Sequence, residues 1–305
     1  MARETYEAQV ALLVRILPHV AKEDVFALKG GTAINLFYRD LPRLSVDIDL
    51  TYLPVKDRNE SLSEINNAMD RIAGAIEGGI VGSKTQRIKG GGGGATRLLA
   101  RMGGVEIKIE TSPVTRGVVH DPETLSVSEA VEDEFGYAEM QVVSFEDLFG
   151  GKLNAAVDRQ HPRDLYDVKL LYDNEGLTDD LFRTFLIYIA SSSRPAHELL
   201  NPNLIDLDKT YTQEFEGMTR TSVSLEELLN TRKRLIADIH SRFDENTKRF
   251  LLSLHEGTPD FDGIDRPQAS EMPAVRWKLI NLEKLKNENV AKHAEQRRKL
   301  EVLLG

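Results

Sequence analysis

One segment constrains this chain more than any other. It runs from Val25-Phe26-Ala27-Leu28 through Gly30-Gly31-Thr32 to Leu44-Ser45-Val46-Asp47-Ile48-Asp49-Leu50. The first run is short and apolar, reads as a buried strand, and must stop at the glycine pair. Thr32 is placed to cap a helix from Ala33 to Tyr38. From Leu44 to Leu50 the side chains alternate. Leu44, Val46, Ile48 and Leu50 fall on one face of a strand, and Ser45, Asp47 and Asp49 on the other.

Each part suits phosphate chemistry. Two carboxylates at i and i+2 on a strand point the same way and can reach one or two hard cations. A glycine turn before a helix lets backbone N–H groups approach phosphate oxygens closely, and Thr32 adds a hydroxyl. Attack on the α-phosphorus of an NTP needs the triphosphate charge neutralised and the pyrophosphate held in line. Asp-x-Asp alone is common on solvated strand faces, and Gly-Gly-Thr alone is an ordinary turn. Their order and spacing give the signal, provided the strand ending at Leu28 pairs beside the strand carrying Asp47.

A second alternating strand, Val105 to Glu110, offers Glu110 or Glu106 as a third metal-binding carboxylate, with Glu110 nearer the strand end. The alternative is an exposed strand face with Lys108 between the two glutamates. Further on, Gly151-Lys152 to Arg159 and Pro162-Arg163-Asp164-Leu165-Tyr166-Asp167 form another polar cluster. Lys152 and Arg159, seven apart, share a helix face, as do Asp164 and Asp167, three apart. Lys152 could clamp phosphates, or the cluster could be salt bridging between helices.

Helical periodicity is expected over Tyr6 to Val20, Leu62 to Ile76, Leu148 to Val157 and Pro162 to Leu171. It recurs from Thr178 onward, with a terminal helix from Ala274 to Leu304. Strands are expected between Gln86 and Glu110, interrupted by a loop at Gly90 to Gly94, and at Met140 to Val143. Ser144 and Asp147 mark a helix start. The order is mixed α/β first and mainly helical afterwards, an α+β chain with a core over 1–143 and a helical domain over 144–305. Trp277 is expected in the core as a helix anchor. The basic residues from Lys284 to Lys299 could grip an RNA backbone, but interspersed glutamates favour a solvated helix.

Composition narrows the classes. There is no cysteine, which excludes disulfides and thiolate chemistry and fits a reducing cytoplasm. No signal-like N-terminus or membrane-length apolar run is present. The net charge of −10 argues against a general nucleic-acid coat protein but not against an enzyme with one basic patch. None of the seven histidines has a zinc-ligand spacing.

The glycine turn followed by Asp-x-Asp resembles the nucleotidyltransferase superfamily with the polymerase-beta-like fold. "LKGGTAINLFYRDLPRLSVDIDL", "FEDLFGGKLNAAVDR", "RDLYDVKLL" and "MPAVRWKLINLEKL" together are similar to the AbiEii-type toxin family, which includes the MenT toxins. That resemblance implies two lobes, an N-terminal nucleotidyltransferase lobe with a mixed sheet and a helical C-terminal lobe completing an active-site cleft. It implies Mg²⁺ on Asp47 and Asp49, with Glu110 as a further ligand. It assigns Gly30, Gly31, Thr32, Ser45, Lys152 and Arg159 to NTP phosphates. Asp167 would be a general base or site organiser, supported by Asp164 and Arg163. The expected function is a toxin of a toxin–antitoxin or phage-defence pair, transferring nucleotides from an NTP to RNA, at a tRNA 3′ end, with a cognate antitoxin as partner. The alternatives are a protein or small-molecule acceptor, or a silent nucleotide-binding regulatory module.

Overall fold

Alternation around Ile48 to Leu50 places that strand at the middle of a seven-stranded mixed sheet. The computed structural model describes residues 2–88 and 96–305; the expected Gly90 to Gly94 loop lies outside them. The chain divides into two units, Met1–Ser144 with Met218–Thr221, and Phe145–Gly217 with Ser222–Gly305.

The first unit contains α1 (Ala2–Val20), β1 (Phe26–Lys29), α2 (Gly30–Ala33), β2 (Ile48–Tyr52), α3 (Arg58–Gly79), β3 (Lys84–Ile88), β4 (Arg97–Met102), β5 (Val105–Thr111), β6 (Glu123–Ser126), α4 (Glu129–Phe135) and β7 (Glu139–Val142). The strand order is β3-β4-β5-β2-β1-β7-β6. β2 runs antiparallel to β1 and parallel to β5. β4 and β5 join through Gly103 and Gly104, both at positive φ, as a two-residue hairpin turn requires. α1 and α3 lie against the sheet and each other. They bury Leu13, Ile16, Leu17, Met69 and Ile72 there.

Two local expectations are corrected. The helix begins at Gly30, so Thr32 lies inside its first turn instead of capping it, and Ile34–Tyr38 continue as a π-helix. The fully buried Asn35 holds this wider turn. Its Nδ2 donates to the Gly31 carbonyl at 2.6 Å, and its Oδ1 accepts from the Arg43 N–H at 3.2 Å. The second correction concerns β2, which begins at Ile48 and not at Leu44. The preceding residues pair with a distant segment instead. Leu44 N–H donates to the Met218 carbonyl at 2.8 Å, Arg220 N–H donates to that of Pro42 at 2.9 Å, and Arg43 bridges Thr219.

The second unit is helical: α5 (Phe145–Asp158), α6 (Pro162–Asn174), α7 (Asp179–Ser191), α8 (Ala196–Leu200), α9 (Asp208–Glu214), α10 (Leu225–Ser241), α11 (Glu245–Glu256), α12 (Pro273–Glu288) and α13 (Val290–Leu304). Side-chain caps start several of them: Thr178 for α7, a Ser224–Glu227 capping box for α10, and Asp244 for α11. The expected single terminal helix breaks at Asn289, whose Oδ1 accepts the Lys292 N–H at 3.0 Å and caps α13. Trp277 is 55% exposed, against its expected core position. The buried stripe of α12 runs through Ala274, Val275, Lys278 and Leu282 instead. No helix among the described residues is long and apolar enough to cross a membrane.

His255 on α11 and His293 on α13 stack with ring centroids 4.2 Å apart. Each ring Nε2 donates to the other's backbone carbonyl, at 3.1 and 3.2 Å. Burial, and then the neighbouring ring, lowers the His255 pKa below 6.5. The unfolded chain therefore binds a proton on His255 more readily than the folded chain does. The resulting stabilisation is complete above the ordinary histidine range and is lost as pH falls through it. Urea midpoints are expected to fall more steeply from about pH 7.5 to about pH 5.5 for the natural chain than for His255→Gln. Equal slopes would remove the pair from the acid response.

Candidate active site

The sheet register lines up a row of charge. Lys29 on β1 stands opposite Asp49 on β2, Asp49 beside Glu110 on β5, and Glu110 opposite Arg97 on β4. Asp47 lies just before β2. Lys108 Nζ stands 3.3 Å from Asp47 Oδ2 and 3.0 Å from Glu110 Oε1, and Arg97 Nε is 2.8 Å from Glu110 Oε2. Glu106 is one end of a different pair, with Arg101, four residues down β5 and about 13 Å away along the strand. Glu110, not Glu106, therefore neighbours the aspartates.

The glycine pair fits tightly around these groups. Gly30 has φ +77°, and a Cβ there would stand 2.6 Å from Asp49 Oδ2. A Cβ on Gly31 would stand 2.6 Å from Arg43 Nη2 and 2.7 Å from Ser45 Oγ. Gly30 thus meets two demands at once, a left-handed backbone and a carboxylate against its Cα. The Thr32 hydroxyl donates to the Asp47 carbonyl at 2.5 Å and lies 3.3 Å from Ser45 Oγ. Its hydroxyl proton is thereby committed to fixing Asp47.

Electrostatics differ across the row. Burial raises the Asp49 pKa; Lys29 opposes this, Asp47 and Glu110 reinforce it, and the net shift is upward. Burial also raises Glu110, but Lys108 and Arg97 outweigh it and hold the carboxyl below its ordinary range. Burial lowers the Lys29 ammonium despite the attraction of Asp49 and Glu110. Sequence reasoning passed over Lys29 and Arg43. Lys29 directly precedes the glycine pair, and that adjacency was the available signal.

In the second unit, the other predicted cluster is a buried ion-pair network. Lys152 Nζ lies 2.9 Å from Asp164 Oδ1 and 2.9 Å from Asp167 Oδ2. Arg159 grips Asp164 with two nitrogens, at 2.5 and 2.9 Å. Burial pushes the Asp164 carboxyl up, yet Lys152 and Arg159 outweigh it and hold the group well below the usual carboxylate range. Arg163 is exposed and joins neither aspartate; its backbone N–H donates to His161 Nδ1 at 3.1 Å. Gly150 and Gly151 serve packing, because a Cβ on either would stand 3.1 or 3.3 Å from the Tyr188 ring on α7. The Tyr188 hydroxyl in turn donates to Asp147 at 3.0 Å.

Among the described residues, no three His, Asp or Glu side chains are gathered to hold a metal by themselves. The donors that are present still fit Mg²⁺. It prefers hard oxygens and is commonly held by one or two carboxylates, with substrate phosphates and water completing the shell. Asp47, half exposed, and Asp49 offer such a pair.

Comparison with known proteins identifies the family. A family model described as the nucleotidyl transferase AbiEii toxin of type IV toxin–antitoxin systems matches residues 11–281. A comparison with curated proteins finds no match. Among solved structures, MenT4, a nucleotidyltransferase toxin from Mycobacterium tuberculosis H37Rv, aligns with a TM-score of 0.60. The alignment covers 90% of this chain and 93% of that one at 16% sequence identity, a likeness of fold. Because the family model spans most of the sequence, this chain belongs to the AbiEii family of nucleotidyltransferase toxins of type IV toxin–antitoxin systems.

Proposed function

We propose that this protein transfers a nucleotide from an NTP to RNA in the cytoplasm, with a tRNA 3′ end as acceptor, and so blocks translation until a cognate antitoxin intervenes. The observation that carries the transferase chemistry is the meeting of Asp47 and Asp49 with the Gly30-Gly31 turn on one side of the sheet. RNA as acceptor rests on the family.

In this reading Asp47 and Asp49 hold Mg²⁺, which when bound neutralises triphosphate charge. Gly30 and Gly31 let Asp49, Arg43 and Ser45 close up against the backbone at the start of α2, which sets the carboxylate pair and a guanidinium beside one turn. Thr32 fixes the Asp47 backbone, and Arg43 lies against Gly31 with its cationic end beside Ser45. The acceptor hydroxyl oxygen forms a bond to the α-phosphorus, the bond from that phosphorus to pyrophosphate breaks, and the hydroxyl proton is released. Asp167, fully buried and paired with Lys152, suits orienting that ammonium better than accepting a proton.

The test is transfer of label from each α-labelled NTP in the presence of Mg²⁺ and total bacterial RNA. Label on a tRNA-sized band, absent with Asp49→Asn, is the expected result. Label on protein alone would replace the RNA acceptor with a protein hydroxyl. Turnover by Asp49→Asn equal to the natural chain would remove the proposed metal site.

A further inference from the structure

Three carboxylates, Asp47, Asp49 and Glu110, occupy neighbouring positions on β5 and the leading end of β2. Like charges so placed repel unless a cation stands among them. Lys29 faces Asp49 and Arg97 pairs with Glu110, but the cation shared between two of the carboxylates is Lys108. The register pairs Ile48 with Ile109, and one step back brings Lys108 level with Asp47. Lys108 shares a strand face with Glu110, two residues on. Its ammonium bridges Asp47 Oδ2 at 3.3 Å and Glu110 Oε1 at 3.0 Å.

The bridge is not deeply buried. The side chains of Lys108, Asp47 and Glu110 are 34%, 49% and 26% exposed. Ion pairs this open contribute roughly 0–1 kcal/mol to stability, so holding the fold together is a weak account of the arrangement. A compact ammonium on a flexible stem is well suited to leaving one carboxylate while staying with another. Glu110 and Arg97 remain paired when it does so, at 2.8 Å.

We propose that Lys108 is a tethered counter-ion of the aspartate pair, which competes with the divalent cation for Asp47 and is held in reserve by Glu110. This rests on the reading that Asp47 and Asp49 hold the metal. It assigns Glu110 to anchoring a lysine instead of completing the metal shell. Metal entry then displaces the ammonium from Asp47, and the protein alone binds the cation weakly. An incoming NTP, with its own phosphate ligands, shifts the balance toward the metal.

The test needs no turnover. Mn²⁺ binding to the full chain, without NTP or RNA, is followed by the loss of the free-ion paramagnetic resonance signal. Lys108→Met removes the charge and keeps much of the stem, and is expected to tighten Mn²⁺ binding about tenfold or more, the scale of removing a unit charge a few ångströms from a dication. Lys108→Arg keeps the charge and is expected to stay within about twofold of the natural chain. Equal affinity in Lys108→Met and the natural chain, or weaker binding in the variant, overturns the proposal. So does a gain in Lys108→Arg as large as that in Lys108→Met, because charge would then not be the cause. Asp49→Asn separates the two levels. If binding requires Asp49 but ignores Lys108→Met, the metal reading stands and the counter-ion fails. If binding survives Asp49→Asn in both backgrounds, the metal lies elsewhere and both fall.

Discussion

Asp49→Asn is expected to lose nucleotidyl transfer by about three orders of magnitude or more, the scale of removing a principal electrostatic group from a transition state, while folding at least as stably as the natural chain. The two halves of this expectation have one cause. Asp49 is partly buried against Gly30, beside Asp47 and Glu110, and its pKa is raised. A raised carboxyl pKa means that the folded protein disfavours the ionised form relative to the unfolded chain. Asparagine is a neutral mimic of the protonated acid, so it relieves that penalty while removing the anionic ligand. The same shift gives the stability difference a pH dependence. The cost of ionising Asp49 in the metal-free protein is complete above its raised pKa and is relieved as pH falls through it, so the stability gain of Asp49→Asn is expected to shrink toward acid pH. The measurements are label transfer and the urea midpoint of both proteins. A variant that is inactive and also clearly less stable would mean that Asp49 supports the fold, and that its loss of activity says nothing about a metal.

How much of this site could be read from the sequence depends on which contacts are local. The glycine pair and the aspartates stand out because their chemistry is written in turn residues and a period of two. Gly30 against Asp49 follows once β1 and β2 are antiparallel neighbours. The closeness of Lys29 to Asp49 exists only in that pairing, and its place just before the glycine pair is the one local hint of it. Lys108 was visible but looked like a charge on a solvated face, since only the β2–β5 register brings it to Asp47. The start of β2 was misplaced because Leu44 finds its hydrogen-bond partner at Met218, far along the chain. β6 and α4 were not anticipated; β6 is the exposed sequence Glu123-Thr124-Leu125-Ser126 at a sheet edge, with little apolar alternation to detect. In the helical unit the periodicity from Thr178 and the proline at 162 made two starts legible. Trp277 misled because a large aromatic side chain suggests an anchor, while the buried stripe of α12 passes beside it.

Lys152→Met is expected to cost about 3–5 kcal/mol of stability, the range for breaking a buried ion pair on one side. The Lys152 side chain is 7% exposed, and those of Asp164 and Asp167 are 1% and 0%. Removing the ammonium leaves two buried carboxylates that had shared it. Arg159 still serves Asp164 from a largely exposed position, but Asp167 loses a partner 2.9 Å away. The residue that the family resemblance assigns to NTP phosphates is therefore also built into the second unit's interior, and an activity assay on this variant alone would confuse the two roles. Urea denaturation separates them. If Lys152 acted on phosphates alone, the midpoint would not move. The triple replacement Lys152→Met, Asp164→Asn, Asp167→Asn removes the buried charges together, and is expected to recover most of the lost stability, because neutral groups of similar volume avoid the desolvation that an unpaired ion suffers. Recovery of stability without recovery of transfer would give the cluster of Lys152, Asp164 and Asp167 a chemical role beyond its structural one. Recovery of both would confine it to the fold.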